Sequence, residues 1–353
     1  MAVTARTLRL QQQIAADIAR INDDQTRVLV AAFADAWDEV SPDLTAVLVE
    51  MLVAGDRVTR SQLLRSTRLR KALAVIADSL EQLARETGIL ITDDLRRIID
   101  DAGSAQASVI DSQLPPNSGL LDGLDTWSRV DERQIGAIVD RVTGQITSRL
   151  RPLSRDAMAV VRRELLRSVA AGSNPRATAR RILQRVERGF NGGLSRALTI
   201  ARTETLDAYR AGAALGRAEH ADVCTGWRWV TTFSSRTCPA CLGMAGTIHP
   251  IGEPGPLGHP NCRCTAVPVV KTWAQLGFPD IEEPPDLLPD PQAWFDSLTD
   301  AEQRTILGPS RLAAYQAGHY PMRGWAHRRS NDGWRDSYQV SPLPNQRTGR
   351  RAA

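Results

Sequence analysis

The sequence predicts a mainly α fold with a small α+β module: a helical N-terminal region, then further helices and a small antiparallel sheet stapled by a Cys/His cluster. Three observations predict it. Aromatic residues are only 5% of the chain and eight of them are Trp, so cores must be built mostly from Ala, Val, Leu and Ile, which favours helices. Apolar residues recur at i, i+3, i+4 and i+7 through the N-terminal part. The period then drops to two in a short region that holds all five cysteines.

The first stripe is Leu8, Ile14, Ile18, Ile21, Val28, Phe33 and Trp37. Ser41-Pro42-Asp43 reads as an N-cap with Pro at the first helical position, restarting a helix through Met51. Further helices are expected from Ser61 to Thr87, stopping at Gly88, and from Thr92-Asp93-Asp94 toward Ile110. Pro115-Pro116-Asn117-Ser118-Gly119 is a break, and Asp131 opens a helix toward Leu150. Three helices follow between Ser154 and Ala221, divided at Gly172-Ser173-Asn174-Pro175 and at Gly189–Gly193. Trp227, Trp229 and Thr231 alternate with Arg228 and Val230, and residues 266–270 form a second β-like run. Between them lies a Gly- and Pro-rich loop. Residues 280–302 carry eight acids and no base, which reads as an extended linker, and Thr299-Asp300-Ala301-Glu302 resembles a capping box that restarts helix. The resulting domains are 1–145, helical; 146–272, the α+β module; 273–302, the acidic Pro-rich linker; 303–340, C-terminal helices; and 341–353, a disordered tail.

Charge is uneven. Residues 151–204 carry twelve basic and four acidic side chains, net +8, within a chain of net +4. Only Lys71 and Lys271 are lysine, so the positive surface is guanidinium, which grips phosphate bidentately. On a helix Arg176, Arg180, Arg181, Arg185 and Arg188 form one broad basic face, either solvated or set against nucleic-acid phosphates. No window reaches the ~18 consecutive apolar residues of a spanning helix, and the N-terminus lacks an apolar signal core, so neither membrane anchoring nor export is expected. Residues 1–219 contain no His and residues 1–223 no Cys, which excludes a Ser–His–Asp or Cys–His mechanism housed in the N-terminal two-thirds.

All five Cys lie between 224 and 264, and three of five His between 220 and 259. The cluster is Cys238-Pro239-Ala240-Cys241, then seventeen residues, then His259-Pro260-Asn261-Cys262-Arg263-Cys264. Two thiolates from one turn and a second pair from a distant turn complete a tetrahedron, the arrangement of a structural zinc. Cys238, Cys241, His259, Cys262 and Cys264 are five candidates for four places; reduced, packed thiols or a disulfide are the alternative. His249 and Glu253, in the intervening loop, are the residues that a catalytic metal would recruit as base or acid, but four protein ligands close the site. A finger helix that reads DNA does not fit a Gly- and Pro-rich spacer.

Ala201-Arg202-Thr203-Glu204, a helix through Tyr209, Trp229, Arg236-Thr237-Cys238-x-x-Cys241, Gly246 and His259-Pro260-Asn261-Cys262-Arg263-Cys264 together resemble the Mu F-like phage head morphogenesis (minor capsid) proteins, over about residues 150–270. Gln303–Gly318 looks like that family's C-terminal helices. One departure is Ser234, where the pattern commonly has an acid two residues before Arg236. The resemblance implies a low-copy virion protein of a tailed phage, in the head interior or at the portal vertex and in host cytoplasm during assembly. It implies a role in head assembly, DNA packaging or ejection, with portal, major capsid or scaffold protein as partners, packaged DNA contacted non-specifically, and no membrane. It implies no reaction, although some relatives are fused to proteases or toxins, so the chain is expected not to be an enzyme. The competing classes are a metal-dependent hydrolase or nuclease and a zinc-stapled nucleic-acid-binding module.

Overall fold

The apolar stripes do form helices, and these run through most of the punctuation that the sequence offers. A computed structural model describes residues 3–53, 67–121, 132–150, 175–331 and 334–344. Helix α1 is Ala5–Val53, α2 Thr67–Asp93, α3 Leu95–Asp111, α4 Glu132–Leu150 and α5 Pro175–Glu219. Among the described residues no helix is long and apolar enough to cross a membrane.

The expected restart at Ser41-Pro42-Asp43 is absent, because Pro42 lies inside α1. Proline removes one backbone hydrogen bond, yet the turn holds, and the Thr45 hydroxyl donates back to the Ser41 carbonyl at 2.6 Å. Likewise α2 continues past Gly88: Thr87 and Ile91 are fully buried, and burial outweighs the ~1 kcal/mol that a helical Gly costs. Helix α5 passes through Gly189–Gly193 for the same reason, since the turns that follow bury Ala197, Ile200 and Ala201. The expected helix from Ser154 lies outside the described residues. So do Arg162, Arg163 and Arg167 and the side chains of Arg176, Arg180, Arg181 and Arg185; Arg188 is exposed.

The chain divides into two compact units. One consists of Ile18–Arg96 and Ala137–Thr205. It is all helical among its described residues, around Leu29, Phe33, Ile76, Leu83, Val142 and Ile146, and Gln25 accepts a hydrogen bond from the Thr205 hydroxyl at 3.2 Å.

The other unit, Met1–Asp17, Arg97–Gly136 and Leu206–Ala353, contains the sheet. Its central strand β1 (Cys224–Val230) pairs antiparallel with β2 (Ile248–Pro250) on one side and β3 (Thr265–Val270) on the other. Pro268 is accommodated because β3 is an edge strand. The C-terminal half of α5 is buried on most sides, from Leu206 through Tyr209 and Arg210 to Arg217, as an inner helix requires. It crosses α3 with the two backbones touching: a Cβ on Gly212 would lie 2.3 Å from the Ile99 carbonyl oxygen, and one on Gly216 2.8 Å from that of Gly103. Gly212→Ala must therefore push the α3 and α5 backbones away from each other, and we expect a loss of about 1–3 kcal/mol in chemical denaturation of the full chain. A loss below about 0.5 kcal/mol would mean that the crossing yields freely.

The N-terminal turn is tied to this unit. The Thr7 and Ser112 hydroxyls are 2.8 Å apart, and the Thr265 hydroxyl reaches Gln11 at 3.4 Å. The acidic stretch is not a free linker. Asp286 pairs with Arg228 of β1 at 2.5 Å and accepts from the Val3 amide, while the Leu287 amide donates to the Val3 carbonyl. Burial alone would raise the Asp286 carboxyl, but hydrogen bonds from Arg228 and backbone amides hold it below its ordinary value. A depressed carboxyl contributes stability above its unfolded pKa and loses it as pH falls. Asp286→Asn should therefore destabilise the chain at neutral pH, and the difference from wild type should vanish well below pH ~4. A difference that persists at low pH would assign the effect to something other than charge.

The same stretch then becomes helical: α6 (Pro239–Met244), within the sheet module, is joined by α7 (Pro291–Asp296), α8 (Asp300–Leu307) and α9 (Pro309–Gln316). The expected capping box is present, Thr299 and Glu302 bonding reciprocally. Leu242 of α6 shares one core with Phe295, Ile306, Leu312, Tyr320 and Trp325. The expectation of helices throughout 303–340 is corrected: β4 (Ala326–Asn331) and β5 (Trp334–Val340) form an antiparallel hairpin. The physical cause lies in the sequence, since Asp332-Gly333 is a strong hairpin dipeptide between β-prone runs. The first residues of the expected disordered tail are held in place instead: the Tyr320 hydroxyl donates to the Ser341 carbonyl and Leu343 packs on the same core; the rest of that segment, 345–353, lies outside the described residues.

Candidate metal centre

Each half of the cluster is shaped by its own local sequence. Cys238 is the N-cap of α6, with Pro239 at the first helical position, and its sulfur accepts from the Cys241 amide at 3.3 Å. One turn thus presents both sulfurs, 3.2 Å apart. In the second half the Cys262 amide donates to the His259 carbonyl across Pro260 and Asn261, and Asn261 takes φ +63°. Pro at the second position and a residue tolerant of positive φ at the third are what such a turn demands.

The two turns converge. His259 Nε2 lies 3.0 Å from the Cys238 sulfur and 3.4 Å from that of Cys241, and the Cys241 and Cys262 sulfurs are 3.7 Å apart. Two groups of mutually close donor atoms result, Cys238–Cys241–His259 and Cys241–Cys262–Cys264, and Cys241 belongs to both. With metal–sulfur bonds of ~2.3 Å, a tetrahedral edge is ~3.8 Å, so this donor set could hold a metal ion with small adjustments. His259 Nδ1 donates to the Pro260 carbonyl at 2.8 Å, which leaves Nε2 as the ligand nitrogen.

Hydrogen bonds with Cys241 and Cys264, and then the charges of Arg210 and His259, hold the Cys262 thiol well below its ordinary value despite burial. For Cys264 a hydrogen bond with Cys241 pulls down, but its bond with Cys262 and complete burial push the thiol up. Cys238 is lowered to about 5, mainly by its hydrogen bond with Cys241 and also by His259. His259 is raised to about 9 by Cys238. Geometry favours Cys262 as the third thiolate donor, its sulfur being 3.7 Å from that of Cys241. Cys224 stands apart, packed with Ile110, Leu114 and Val270, its thiol raised to about 12 by burial.

The sequence reading missed Arg210. From α5 its Nε donates to the Cys264 carbonyl at 3.0 Å, and one Nη donates to the carbonyls of Cys262 at 3.0 Å and Cys264 at 2.8 Å. The side chain is 4% exposed. Gly258 is required beside it, because a Cβ there would lie 2.7 Å from the guanidinium and 2.9 Å from the Cys262 sulfur. A signal existed: on a helix Arg210 falls on the same face as Leu206 and Ala213, one turn from each. Earlier on the same helix Glu204 is fully buried, whereas Arg202 is half-buried.

His249 and Glu253 do not join the cluster. His249 stacks on Trp227 at 4.1 Å, its Nδ1 is 3.0 Å from Glu253 and its Nε2 2.9 Å from the Thr247 hydroxyl. Neither residue lines the cleft beside the cysteines.

Fold and site define a helical protein that carries a small three-stranded sheet module built around a Cys/His cluster. Residues 159–267 match the family described as Phage Mu protein F like protein, so over that segment the chain is similar to that family, in agreement with the resemblance read from its residues. No curated protein and no solved structure matches the chain.

Proposed function

We propose that this chain is a head morphogenesis (minor capsid) protein of a tailed phage, a low-copy virion component near the portal that acts in head assembly, DNA packaging or ejection. The observation that carries this reading is the Mu F-like match over 159–267, which takes in the whole Cys/His cluster and ends in β3. The ion is zinc, held by Cys238, Cys241, His259 and Cys262, and its role is structural. Four protein donors leave no position for a reacting water, and the nearby His249 and Glu253 are engaged with Trp227 and Thr247 rather than with the cluster. The helices would dock on portal, scaffold or major capsid protein, and the chain catalyses no reaction.

Quantitative mass spectrometry of purified virions and of DNA-free heads tests the placement. A few copies per particle, co-purifying with portal protein, are expected. Absence from both particles, with normal packaging and infectivity after deletion of the gene, would overturn it. Zinc-loaded protein that hydrolyses DNA or a phosphodiester would instead favour the metal-dependent hydrolase or nuclease.

A further inference from the structure

Beside the cluster lies a cleft of about 300 Å³. Its exposed lining includes Arg236, Asn261 and Arg263, its half-buried lining Thr231, Ser234 and Cys238, and its buried lining Cys241, Cys262 and Cys264. No acid lines it, and neither arginine is hydrogen-bonded or paired with an acid among the described residues. The neighbouring cleft over β1 differs, because there Asp286 neutralises Arg228 and Phe233, Leu288 and Pro291 make the walls apolar.

The charge balance at the cluster decides what the cleft attracts. Three thiolates outweigh a divalent ion by one negative charge, Arg210 behind Cys262 and Cys264 restores neutrality, and Arg236 and Arg263 then make the cleft cationic. Two guanidinium groups over a polar floor suit an oxyanion that can accept several hydrogen bonds at once. An acidic peptide would need apolar anchors, and no aliphatic or phenyl side chain lines this cleft.

We propose that this cleft binds a phosphate group through Arg236 and Arg263. The group is either free phosphate or a phosphodiester of the nucleic-acid backbone; packaged DNA as the source rests on the head-protein reading above, whereas the cleft itself does not.

The test uses the zinc-loaded full chain and two probes, inorganic phosphate by calorimetry and a short mixed-sequence DNA duplex by fluorescence anisotropy at several salt concentrations. The variant Arg236→Gln/Arg263→Gln is compared with a charge-matched control, Arg304→Gln/Arg323→Gln, at exposed positions elsewhere. Metal content and melting temperature verify that both variants fold. The cleft variant should weaken binding at least ~10-fold where the control has little effect, each charged hydrogen bond being a large fraction of such affinity. Its log–log salt slope for DNA should become shallower by about 0.9, the share of the one phosphate that is no longer neutralised. Loss of phosphate binding alone assigns the cleft to free phosphate, and loss of DNA binding assigns it to the backbone. Wild type that binds neither probe, or a control variant that loses as much as the cleft variant, overturns the proposal. Binding that depends on the cleft, in a chain absent from virions, sinks the head-protein reading and leaves the cleft standing.

Discussion

Arg210→Met should cost the full chain about 3 kcal/mol or more in chemical denaturation, the largest effect expected of any single change outside the cluster. The guanidinium is 4% exposed and supplies all three hydrogen bonds described to the carbonyls of Cys262 and Cys264, on residues that are themselves 2% and 1% exposed. Methionine fills most of the volume but donates nothing, so two buried acceptors are left unsatisfied at ~1–3 kcal/mol each. Arg210→Lys should recover only a fraction of the loss, because one ammonium cannot reproduce a fork that reaches two carbonyls two residues apart. A loss below about 1 kcal/mol for Arg210→Met would show that the Cys262–Cys264 segment holds its shape unaided.

Cys241→Ser should abolish metal binding outright. Its sulfur is common to both groups of close donors, and a serine hydroxyl does not replace a thiolate at neutral pH. Elemental analysis of the purified protein should fall from about one zinc per chain to nearly none, with a loss of several kcal/mol in stability, since the binding energy of a structural site is folding energy. Cys262→Ser should behave alike. Cys264→Ser and Cys224→Ser should keep the metal, the former because Cys262, whose sulfur lies 3.7 Å from that of Cys241, supplies the fourth donor, and the latter because it sits in a separate apolar cluster. Retained metal in Cys241→Ser, or loss in Cys264→Ser with retention in Cys262→Ser, would overturn the ligand assignment.

What the sequence revealed and what it concealed follow from the range of the interactions involved. The switch from helix to strand near Trp227, the convergence of Cys238 and Cys241 with His259, and the Thr299–Glu302 capping box are local or set by chemistry, and all were legible. Pro42, Gly88 and Gly192 were poor guides because their costs of ~1–3 kcal/mol are overridden by burial along the same helix, which no local window contains. Spacing could not choose between Cys262 and Cys264, which an extended backbone points the same way; the choice rests on the approach of the Cys262 sulfur to that of Cys241, 21 residues earlier, which only the fold brings about. The hairpin at Ala326–Val340 is a different case, because its Asp332-Gly333 signal is local and legible, and the helical reading of 303–340 passed over it.

The sheet-bearing unit is closed by pieces far apart in the chain: Val3 bonds with Asp286 across 283 positions and Gln11 with Thr265 across 254. Such closure sets the order of events on the ribosome. At ~5–20 residues per second, roughly 15–60 s separate synthesis of Val3 from that of Leu287. Throughout that interval Val3 lacks its partners in the acidic stretch, although Ser112 is already available to Thr7, and Trp227 and Trp229 emerge before the segment that carries Phe295 and Trp325. The unit is therefore assembled after most of the chain has been made. A fragment cut at the limits of the Mu F-like match, 159–267, lacks the α3 helix that α5 crosses and the C-terminal core that Leu242 enters, and should collapse without a unique fold.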